Sequence, residues 1–123
     1  MRNLITGTVL TPEHLAAARA MQQHLSDEMD AVLHRVDALI TLTTLTPAPA
    51  FAAFTDGQPV WTPMRTFPFN LTGHPVLTVP IGFSNGLPLG MQIIGKRNDE
   101  ARICQIGQAF EQSTDHSVIK PNL

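Results

Sequence analysis

Charge is scarce in this sequence. Eight basic and ten acidic residues make 18 of 123, or 15%, where an ordinary soluble domain carries about 25%. A compact monomer of this mass exposes roughly 6,500 Å², and a small globule has proportionally more surface to cover than a large one. Cysteine is nearly absent too: Cys104 stands alone, which excludes a disulfide framework and a cysteine zinc site. No apolar run approaches the length of a membrane span. There is no positive excess: the formal net charge is −2 and only Lys96 and Arg97 are adjacent basic residues, so no footprint for nucleic acid or an anionic membrane exists. The N-terminus, Met1 to Gly7, lacks the apolar core of a secretory signal. Together these absences predict a reduced, cytoplasmic chain with no nucleic-acid or membrane partner. Hydrophobic residues still make up 43%, too many for a disordered tail.

The pattern along the chain is that of one mixed α/β unit. Thr11-Pro12-Glu13 carries a capping hydroxyl, a preset first helical residue and an acid at the positive end of the dipole. A helix over about residues 12–35 follows, with Leu15, Ala18, Gln22, Leu25, Met29, Val32 and Val36 on one mostly apolar stripe. Ala38 to Thr43 is β-branched and nearly all apolar, which predicts a strand covered on both faces. Six of the ten prolines fall between 47 and 75, so that stretch, and 46–65 in particular, is expected to be irregular. It holds one short helix, with Thr66 as its cap, Phe67 to Thr72 as its body and Gly73 as its end. Residues 76–83 and 87–94 flank Ser84-Asn85-Gly86 and read as a hairpin, with an irregularity at Pro80. Asn98 or Asp99 caps a last helix over about 99–113, whose apolar face is Ile103, Ile106, Gly107 and Phe110.

No catalytic apparatus is legible in these elements. Asp115-His116-Ser117 are immediate neighbours, and a hydrolytic triad is assembled in space instead. His14, His24 and His34 step by ten residues and fan around the helix, so no metal site follows. They read as solvent-facing or flanking histidines. Asp27, Glu28 and Asp30 read as a solvated acidic patch, and Lys96 and Arg97 as a solvated turn. Cys104, among apolar neighbours, reads as a buried, inert thiol. The hairpin glycines do not sit between a strand and a helix and cannot form a phosphate loop. No cofactor is implied.

One set of segments is far more specific. Phe69-Asn70-Leu71-Thr72-Gly73-His74-Pro75, then Val79 to Phe83, then Gly86 to Gly95, with Glu100 and Phe110-Glu111, resembles the C-terminal part of amidase-signature enzymes in order and spacing. Pro12-Glu13-His14 with Ala18 and Arg19, and Asp37 to Thr41, extend the likeness over residues 7–121. The resemblance implies that residues 1–123 form a partial domain, the C-terminal segment of the family's mixed-sheet α/β fold.

It also bounds the chemistry. Members cleave or transfer amides with a serine nucleophile, a second serine joined by a cis peptide bond and a lysine base. The Gly/Ser-rich stretch that carries these has no counterpart here; the four serines, Ser26, Ser84, Ser113 and Ser117, lie in other contexts. No catalytic residue carries over. What carries over is one wall of a substrate pocket: the short helix would present Thr66, Phe69 and Asn70 to the acyl side of a small-molecule amide. The alternative for these residues is plain structure, with Phe69 in the core and Asn70 and Thr72 tying loop backbone. Two prolines usual after the family's strand are replaced by Leu42 and Leu45. Two functions follow as expectations. The chain is the C-terminal fragment of an amidohydrolase, inactive without the missing N-terminal portion, or it is a non-catalytic remnant that self-associates or binds a small ligand. Uncovered strand edges favour association in either case. The shortage of charge fits both, since surfaces once covered by a larger enzyme need little.

Overall fold

The computed structural model describes residues 7–54 and 63–119. The N-terminal residues 1–6 and the centre of the proline-rich stretch, 55–62, lie outside the described residues.

Helix α1 spans Pro12–Leu33. Thr11 is its cap in extended backbone, and its Oγ1 accepts from the His14 N–H at 3.3 Å. His14 is exposed, as expected, and it also closes the cap: its Nδ1 accepts the Thr11 N–H at 3.2 Å, taking the role Glu or Gln usually plays in a capping box. Strand β1 (Leu39–Leu42) follows, and Phe51–Ala53 form one 3-10 turn in the proline-rich stretch. Past β1, Thr44 bridges antiparallel to Met64.

The short helix α2 is Phe67–Thr72, closed by Gly73 at φ 74°. That left-handed geometry is cheap only without a Cβ, which is why the helix stops here. Thr66 and Asp99 sit at the starts of their helices, but neither side chain makes a capping bond. Thr66 already has helical backbone angles, φ −81° and ψ −26°, so its hydroxyl is not swung back over the free amides.

The hairpin is β2 (Val76–Ser84) and β3 (Leu87–Ile94). Its turn residues Asn85 and Gly86 have φ of 51° and 77°, the double positive φ of a tight primed turn. The register slips between Pro80 and Gly82, which places the irregularity where Pro80 requires it. Helix α3, Glu100–Gln112, lies across this pair. Val79, Ile93 and Ile103 form the buried core there, flanked by Leu77, Met91, Ile106 and Phe110. A Cβ on Gly107 would run into the Leu77 side chain, so glycine sets how closely α3 approaches β2.

The sheet order is β1-β3-β2, all antiparallel. Among the described residues both β1 and β2 are therefore edges. The expectation that β1 is covered on both faces needs correction: Leu39 and Thr41 are half-buried, while Ile40 and Leu42 are 63% and 43% exposed. Register places Ile40 opposite Ile93 and Leu42 opposite Met91, on the face that α3 covers farther along, so β1 lies beyond the reach of that helix. The apolar stripe on α1 is open as well: Leu15, Leu25, Val32 and Val36 are all exposed. The side of α1 that is buried lies at the flank of the stripe, at Ser26 and Leu33.

Candidate functional site

The three residues expected to line a pocket all belong to α2 or its cap. Thr66 is half-buried, Asn70 is exposed and Phe69 is turned inward at 8% exposure. Phe69 therefore does not stand on the outer side of α2; Phe67, 69% exposed, and Asn70 do.

What holds α2 in place is a polar ladder on α1. Gln22 Nε2 donates to the Leu71 carbonyl at 2.8 Å, and the Ser26 hydroxyl donates to the Thr72 carbonyl at 3.3 Å. One turn later, Asp30 Oδ1 accepts from His74 Nε2 at 3.0 Å. Positions 22, 26 and 30 are four apart, so they stack on one face of α1. The first two rungs satisfy carbonyls at the C-terminus of α2 that have no partner within so short a helix. The third fixes the extended step that follows. The His74 side chain is wholly buried. Its other nitrogen, Nδ1, lies 2.9 Å from the Thr72 hydroxyl oxygen, so both ring nitrogens have a hydrogen-bond partner. The other oxygen of Asp30 pairs with Arg97 at 3.2 Å, tying in the turn before α3.

None of this was visible as a set. Gln22 reads as a polar interruption of an apolar stripe, and Asp30 as one member of a solvated acidic run. Arg97 does stand exposed in a turn, and there it is also an ion-pair partner of Asp30. The available signals were the four-residue spacing and a histidine followed by proline after a helix-ending glycine. The partners are 44 to 49 residues apart in sequence, a pairing that local pattern cannot assign.

Thr72, His74 and Asp30 line up a hydroxyl, an imidazole and a carboxylate, the order of groups in a hydrolytic triad. They do not form a reaction centre. Thr72 is 5% exposed and His74 is 6% exposed, and the described cavity lies elsewhere, so no substrate carbonyl can approach the hydroxyl. That cavity, of about 230 Å³, opens between β2 and α3 and is lined by Leu77, Thr78, Val79, Cys104, Gly107, Gln108 and Glu111. Cys104 faces it and is exposed rather than buried; the apolar neighbours Ile103 and Ile106 occupy the inner face of α3 instead.

The remaining candidates stay apart. His116 packs on the Phe110 ring at 6.3 Å between centroids. Ser26 and Ser113 donate to backbone carbonyls. Among the described residues no hydrogen bond joins a serine hydroxyl to a base, and no group of three His, Cys, Asp or Glu side chains could hold a metal ion. No described helix is long and apolar enough to cross a membrane.

Comparison with known proteins assigns these elements to a family. The model of the family described as Amidase matches residues 2–104. The chain belongs to the amidase family. A glutamyl-tRNA(Gln) amidotransferase subunit of Bacillus pumilus (strain SAFR-032) is 39% identical over 113 residues, covering 86% of this chain and 22% of the relative. The solved structure of its counterpart from Thermotoga maritima is 30% identical, with a TM-score of 0.60 over 92% of this chain and 26% of that one. The native peptide amidase of Stenotrophomonas maltophilia is 27% identical, with a TM-score of 0.69 over 92% of this chain and 22% of that one. The α/β arrangement of helices and antiparallel strands is thus an amidase-signature fold. These 123 residues span 22% of the length of the curated relatives, so this amidase chain corresponds to a segment of the domain those relatives contain.

Proposed function

We propose that this chain is the C-terminal segment of an enzyme acting on carbon–nitrogen amide bonds, and that it supplies scaffold and pocket wall rather than nucleophile or base. One observation carries the reading. The residues that match the family run almost the length of the chain, yet no Gly/Ser-rich stretch with paired serines and a lysine occurs among the 123 residues. Amide cleavage needs an activated hydroxyl and preorganised donors for the oxyanion, so turnover requires the portion that bears them. In the joined enzyme, the outer side of α2, with Asn70 and the half-buried Thr66, faces the acyl part of a small-molecule amide. Phe69 supports that wall from behind.

The test is an assay of the purified chain on an aryl amide such as a nitroanilide. The expected outcome is no release above background by the chain alone. Release should appear when it is combined with the triad-bearing portion of an amidase-family protein. Turnover by the chain alone that survives Ser→Ala replacement at all four serines would overturn the reading. Tight binding of a small ligand without turnover in any combination would favour the non-catalytic remnant.

A further inference from the structure

We draw no further inference here: the strongest candidate, the cavity between β2 and α3 with Cys104 and Glu111 in its lining, offers a lone cysteine and a single carboxylate, and nothing in the structure shows what covers it.

Discussion

Two parts of this molecule are held together by different physics. The hairpin and α3 are joined by apolar packing around Val79, Ile93 and Ile103. The pair α1 and α2 is joined by a ladder of hydrogen bonds from Gln22, Ser26 and Asp30. Apolar burial is strong and non-directional. A hydrogen bond contributes only about 1 kcal/mol net, but it fixes distance and angle. The contrast teaches that the hairpin half supplies cohesion, while the α1–α2 half supplies aim for the helix read as a pocket wall.

The sharpest way to break that comparison is to attack each half separately. Ile93 is fully buried in the central strand, so Ile93→Ala should cost about 2–5 kcal/mol, lower the urea midpoint and speed amide exchange in α3 and the hairpin together. His74→Ala removes two hydrogen bonds from a buried site while Asp30 keeps Arg97. It should cost less, about 1–3 kcal/mol, and should speed exchange mainly in α2 and the step after it. Equal loss of hairpin protection in His74→Ala would show that the two halves are one cooperative unit. The smallest effect belongs to a third link, Asp37 to Arg102. The Arg102 guanidinium donates to Asp37 Oδ1 at 2.8 Å and, by this bond and by its charge, holds that carboxyl below its usual value. A lowered carboxylate stabilises the fold above the ordinary carboxylate range and loses that contribution as pH falls through its folded value. Both side chains are exposed, so Arg102→Gln should lower stability only slightly at neutral pH, and the difference from wild type should vanish as pH falls through the carboxylate range, flattening the acid limb of a stability-versus-pH curve.

How much of this could be read in advance depends on how far apart the deciding atoms lie. Thr11-Pro12 and Asn85-Gly86 act over three or four residues, and the helix start and hairpin turn stand where they are expected. Pro80 disrupts its own ladder, and the bulge is there. Burial is a different matter. Leu15, Leu25 and Val32 have the right spacing to be covered, but spacing records that a face was built for a neighbour, not whether the neighbour is in the same chain. Phe69 and Asn70 are adjacent on one turn, and only the seating of α2 on α1 decides that the first points in and the second out. That seating depends on Gln22, Ser26 and Asp30, whose partners are more than 40 residues away. The serine, threonine and histidine in the network look ordinary one at a time. The family likeness recovers the fold, while the chemistry it implies needs residues these 123 do not contain.

The rungs of the ladder occupy only the later part of α1. The ten residues Pro12–Met21 come before the first rung and are exposed throughout, an overhang of about 15 Å at the rise of an α-helix. Beyond Gln22 this segment is a boom without stays: among the described residues no side-chain hydrogen bond or ion pair joins it to α2 or to the sheet, so it extends the reach of α1 and adds nothing to the hold on α2.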